Sequence, residues 1–105
     1  MSIETHPKKR VEIMIEAPAL TRVTDALDRA EATGYTVMPA LAGRGNGGGW
    51  QRDDAFGDSG RIVCVVCITD AQRMPAILEA LKPLVERHIG IVSVSDVQVI
   101  RAGHF

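Results

Sequence analysis

The residues best suited to chemistry crowd into one stretch, GRGNGGGWQRDDAFGDSG, residues 43–60. It holds seven of the chain's ten glycines, its single tryptophan and one of its two phenylalanines. Glycine at this density lets backbone N–H groups turn inward as a nest for an anion. Trp50 and Phe56 weigh against a mere tether, because disordered linkers are poor in aromatic residues. Arg44, Arg52, Asp53, Asp54 and Asp58 give the loop both signs of charge, so a bound anion can change how it lies. Loops this long are uncommon in compact domains and tend to be functional or disordered. The competing reading is a flexible surface loop with no ligand.

More specific chemistries fail. Gly43, Gly45 and Gly48 fit G-x-G-x-x-G, but a dinucleotide fingerprint needs a helix directly after the glycines. A polar loop and a strand follow instead. No G-K-[ST] follows either, which removes a P-loop. Cys64 and Cys67 sit three apart in RIVCVVCIT, a run whose Val and Ile content predicts a strand. On a strand they face opposite ways at about 10 Å, beyond disulfide reach, so a packed, reduced pair is expected. His6, His88 and His104 are scattered, no metal-ligand spacing links them, and no serine occupies a nucleophile elbow. The chain offers no catalytic set and no metal site.

The bulk properties bound the rest. A chain of 105 residues makes one domain with a real core, residues 1–105, of which 1–8 read as a loose lead-in. Its net charge of −1 gives no general attraction for nucleic acid or an anionic membrane. No apolar run approaches the ~20 residues of a membrane span, so no membrane insertion is expected. MSIETHPKKR lacks a signal-peptide core, which predicts a cytoplasmic protein.

The elements that must position the loop follow from periodicity. RVEIMIEA (10–17) alternates as a half-buried strand. From Leu20, the residues Val23, Leu27 and Ala30 recur at helical spacing, and Gly34 is the expected C-terminal cap. YTVMPALA (35–42) predicts a second strand, with Pro39 marking an edge or a bulge. RIVCVVCIT (61–69) is apolar on both faces, so both need cover. Asp70 caps a second helix with a core face of Met74, Ile77, Leu78, Leu81 and Val85, and Pro83 is expected to kink or end it near Lys82. In IGIVSVSDVQVI (89–100) the apolar phase changes between Val94 and Val97, as a bulge at Ser95–Asp96 would produce. The order β-α-β-β-α-β is α+β, the split pattern of ferredoxin-like sandwiches. Helices cover one sheet face, and a homo-oligomer is the simplest cover for the other. An RNA-recognition module shares this order, but its stacking positions here are Val, Cys and Ile.

Three segments, KRVEIMIEA, GYTVMPALAGRG and VSDVQVIRAG, together resemble the PII signal-transduction proteins along nearly the whole chain. The resemblance implies a homotrimer, adenine nucleotide in clefts between subunits, and a long T-loop that regulates a target protein. Departures refine it. The second segment is one residue longer than the family pattern, and the long loop has no tyrosine. VERHIGIV replaces a longer glycine-rich cleft loop, and Arg101 alone matches the family's terminal arginine pair. These features look most like the PII-like branch with short loops, the carboxysome-associated group. That group implies ADP or AMP together with bicarbonate as ligands rather than cofactors, no enzymatic activity, and a report on inorganic-carbon or energy status. The implied target is a bicarbonate transporter or a carboxysome-associated protein.

Carried over residue by residue, the resemblance assigns Thr36 to the adenine and Gly43, Arg44 and Gly45 to the T-loop base. It assigns Arg101 to phosphate, with Arg61 from the third long strand, and with Arg87, His88 and Gly90 from the neighbouring subunit. Bicarbonate falls to Asn46, Gly47, Gly48, Gly49 and Trp50, with Arg44 or Arg52 nearby, and loop closure should accompany binding. Two other classes stay open. One is a small phosphatase of ferredoxin-like fold with Asn46 beside Arg44. The other is a structural trimer whose loop docks a partner without ligand.

Overall fold

A computed structural model describes residues 2–45, 48–51, 61–101 and 103. Among these residues, six strands, two α-helices and one short 3-10 helix (Ala17–Ala19, leading into α1) occur; the strands and α-helices follow in the order β1 (His6–Glu16), α1 (Leu20–Arg29), β2 (Thr36–Pro39), β3 (Ala42–Gly45), β4 (Gly48–Gln51), β5 (Ile62–Thr69), α2 (Met74–Arg87) and β6 (Gly90–Val99). Four strands form one antiparallel sheet in the order β2-β5-β1-β6, the ferredoxin-like arrangement. The alternation of β1 sends Val11, Ile13 and Ile15 to one face, where Val63, Val65 and Cys67 of β5 join them, all buried. Onto that face pack Val23, Ala26 and Leu27 of α1 and Ile77, Leu81 and Leu84 of α2. Ile62, Cys64, Val66 and Ile68 face the other way and are half-buried, as are Arg10 and Glu12, which pair across 2.5 Å. Cys64 and Cys67 are free thiols on opposite faces. Burial pushes both thiols up; for Cys64 the nearby Glu12 adds to the effect and Arg10 opposes it.

Several sequence expectations are corrected. β1 begins at His6 rather than Arg10, because β6 is long enough to pair His6 with Val99, and the Lys9–Asp96 ion pair ties the extension across the ladder. β2 stops at Pro39 on an edge of the sheet, where a missing N–H is tolerated. The register of β1 with β6 runs unbroken from His6–Val99 to Ile15–Gly90, so there is no bulge at Ser95–Asp96. The phase change is a change of face. Val92 and Val94 lie opposite Ile13 and Val11 on the helix side, while Val97 lies opposite Lys8 on the other. Helix α2 continues through Pro83 to Arg87, because Pro83 sits on its exposed side. Leu84 supplies the buried side chain expected of Val85, which is only half-buried. Asp70 does cap the entry turn, since its Oδ1 accepts the Arg73 N–H at 2.7 Å.

The end of α1 shows the clearest override of local preference. The helix stops at Ala30, and Glu31 adopts φ 62°, a left-handed conformation usually left to glycine. The Ala32 N–H donates to the Leu27 carbonyl at 3.0 Å and the Glu31 N–H to that of Asp28 at 3.1 Å, the paired bonds of a Schellman cap. Gly34, further along the chain, has open space around it and no part in these bonds. Glu31→Gly is therefore expected to raise stability by about 1 kcal/mol. Chemical denaturation checks it; an unchanged or lower midpoint would show that the strain is relieved elsewhere.

Candidate functional site

The sheet's register gathers the candidate residues at two separate ends. Pro39 lies opposite Val63, Ile62 opposite Glu16, and Ile15 opposite Gly90. The end of β2, the start of β5 and the turn from α2 into β6 therefore share one edge of the molecule. Arg61, Arg87, His88 and Gly90 stand there. The β3–β4 hairpin, inserted between β2 and β5, leaves from the same end. Thr36, opposite Val66, lies three residues further in and is exposed on the open face. Arg101 follows the other end of β6. Strand rise is about 3.3 Å per residue, so the ten residues of β6 hold Arg101 about 30 Å from Gly90.

The loop base is not the irregular nest suggested by composition. Ala42–Gly45 and Gly48–Gln51 form their own two-stranded ladder, with Gly43 opposite Trp50, Arg44 opposite Gly49 and Gly45 opposite Gly48. Cross-strand partners share a face, so exposed Arg44 flanks bare backbone at Gly49. A cation beside uncovered main chain can seat a small anion. Asn46, Gly47 and Arg52, and with them the phosphatase arrangement of Asn46 beside Arg44, lie outside the described residues. So do Phe56 and the rest of 52–60.

Gly90 has a packing duty of its own. A Cβ there would stand 3.0 Å from Ile15 Cγ1 and 3.1 Å from the Met14 carbonyl oxygen, which is backbone and cannot swing away. The adjoining turn is held by hydrogen bonds from the His88 N–H to the Leu84 carbonyl at 2.9 Å and from the Glu16 N–H to the Ile89 carbonyl at 3.2 Å. The His88 ring is directed into the chain's own body, 2.9 Å from Glu16 Oε1 and 3.1 Å from an Arg22 nitrogen. Glu16 and Arg22 carry no sequence signal for this site, since 72 and 66 residues separate them from His88. Among the described residues no three His, Cys, Asp or Glu side chains gather as a metal site, and no helix is long and apolar enough to cross a membrane.

Residues 8–104 match the family described as nitrogen regulatory protein P-II. The chain belongs to the P-II family. Its fold is also that of CPII, a nitrogen regulatory PII-like protein from Thiomonas intermedia K12 solved with ADP, AMP and bicarbonate. The two are 32% identical over 95% of this chain and 94% of that one, with a TM-score of 0.84. The apo form of CPII aligns at 30% identity over 95% and 99% of the chains, TM-score 0.74. A putative PII-like signaling protein from Thermus thermophilus aligns at 26% identity over 94% and 95%, TM-score 0.77. No protein of curated function matches. The P-II chain described here is thus a PII-like regulatory protein similar to CPII, as its sequence motifs implied.

Proposed function

We propose that this PII-like protein is a homotrimeric sensor that binds ADP or AMP in clefts between subunits, together with bicarbonate at the β3–β4 hairpin. The observation that carries this reading is the separation of the arginines. Arg44, Arg61 and Arg87 belong to one end of the chain and Arg101 to the other, so one phosphate group meets them all only where two chains adjoin. The end that brings Arg87, His88 and Gly90 is then the chain's own hairpin end, and Arg101 is the residue a neighbour supplies. The half-buried apolar face of β5 needs a cover, and self-association provides one. The ligands are those with which CPII was solved.

In this mechanism guanidinium groups from two chains neutralise the phosphates, each through charge-assisted hydrogen bonds. Thr36 meets the adenine, and Arg44 with the hairpin backbone holds bicarbonate. Occupancy then sets the direction in which residues 46–58 project toward a target in the cytoplasm, a bicarbonate transporter or a carboxysome-associated protein. No bond is made or broken. Calorimetric titration with AMP, ADP and ATP, with and without bicarbonate, tests the reading. ADP or AMP should bind, and bicarbonate should tighten the complex; no heat at millimolar nucleotide would sink it.

A further inference from the structure

The His88 contacts constrain its protonation. Its side chain is 14% exposed and that of Glu16 21%, so both groups are largely withdrawn from water. A carboxylate only accepts hydrogen bonds and a guanidinium only donates them. Nδ1 faces Glu16 and Nε2 faces Arg22, so both contacts form together only when the ring is neutral with its proton on Nδ1. The ring thereby joins the end of β1, the first turn of α1 and the last residue of the α2 turn. Arg87 immediately precedes it, and Gly90, two residues on, is wedged against Met14 and Ile15. The short turn is thus fixed by a side-chain brace at one end and a steric fit at the other.

We propose that His88 is a positioning residue of the nucleotide cleft: as the neutral Nδ1–H imidazole between Glu16 and Arg22, it holds the turn that presents Arg87 to phosphate. The inference rests on reading the cleft as a nucleotide site. It replaces a direct phosphate contact for His88 by an indirect role, because both ring nitrogens are already engaged. The charged groups around the ring are Glu16 from β1, Arg22 from α1 and the adjoining Arg87 of α2.

Calorimetry with ADP at pH 8 on the full chain tests this, using the wild type, His88→Asn and His88→Gln. Asparagine keeps a donor near Nδ1 for Glu16, and glutamine keeps an acceptor near Nε2 for Arg22; each gives up the other contact. Each variant should bind ADP about tenfold more weakly at pH 8, the lower end of what losing an orienting partner costs, with its melting temperature nearly unchanged. Nitrogen NMR of wild-type His88 at pH 8 should show the proton on Nδ1. Wild-type affinity in both folded variants, or the opposite tautomer, would overturn the proposal while leaving the nucleotide reading intact. Failure of the wild type to bind ADP would end both.

Discussion

Replacing Arg101 with alanine is expected to weaken ADP binding about 100-fold while leaving the melting temperature nearly unchanged. Hydrogen bonds to charged groups contribute about 1.5–3 kcal/mol each, and every 1.4 kcal/mol is tenfold in affinity. Arg101 is exposed beyond the end of β6, so its removal leaves no cavity. Arg87→Ala should behave alike, since Arg87 is exposed at the end of α2. The decisive experiment mixes the two variants. If each cleft takes Arg87 from one chain and Arg101 from its neighbour, subunit exchange rebuilds intact clefts from two defective proteins. Random assembly at equal amounts should restore tight binding in roughly a quarter of the clefts of a cyclic oligomer. Were both arginines supplied by the same chain, no mixture would recover. Calorimetric stoichiometry after mixing separates the outcomes.

Gly90→Ala is expected to lower stability by about 2 kcal/mol, in the range for overpacking a tight site. For a domain of this size that is a fall of about 10 °C in melting temperature. The added methyl group meets Ile15 Cγ1 at 3.0 Å and the Met14 carbonyl at 3.1 Å, and the strands must part by several tenths of an ångström to admit it. Because this is the last pair of the β1–β6 ladder, the strain falls on the turn carrying His88 and Arg87. Nucleotide affinity should drop with it. A variant with wild-type stability and impaired binding would instead place a ligand directly against Gly90. Thermal unfolding alongside titration reads both quantities.

The fold was largely legible because its signals are periodic. Alternation in Val11, Ile13 and Ile15, the helical spacing from Leu20, and the uninterrupted apolar run of β5 each describe a local surface that must be buried. With β-α-β-β-α-β order, short connections leave few ways to do it. The misreadings share a cause as well. Gly34 looked like the cap of α1 by residue type, yet tertiary packing ended the helix sooner and forced Glu31 into the left-handed region. Pro83 looked like a breaker, yet a helix anchored by Ile77, Leu81 and Leu84 on one side carries a proline on the other. The valine phase change in β6 looked like a bulge, yet the ladder is regular and the apolar side changes over. In the first two cases a propensity of about 1–3 kcal/mol met a larger burial term.

The site divides along the same line. Sequence alone determined which residues are suited to an anionic ligand: glycines 43–49, Arg44, Arg61, Arg87 and Arg101, within motifs of the P-II family. These are matters of residue type and order, which need no coordinates. Tertiary structure decided which of them stand together, because strand register sets distances that sequence separation hides. It paired Ala42–Gly45 with Gly48–Gln51, placed Arg87 at the hairpin end and set Arg101 about 30 Å away. It also turned His88 inward onto Glu16 and Arg22, since only folding brings residues 66 and 72 positions apart within hydrogen-bonding reach.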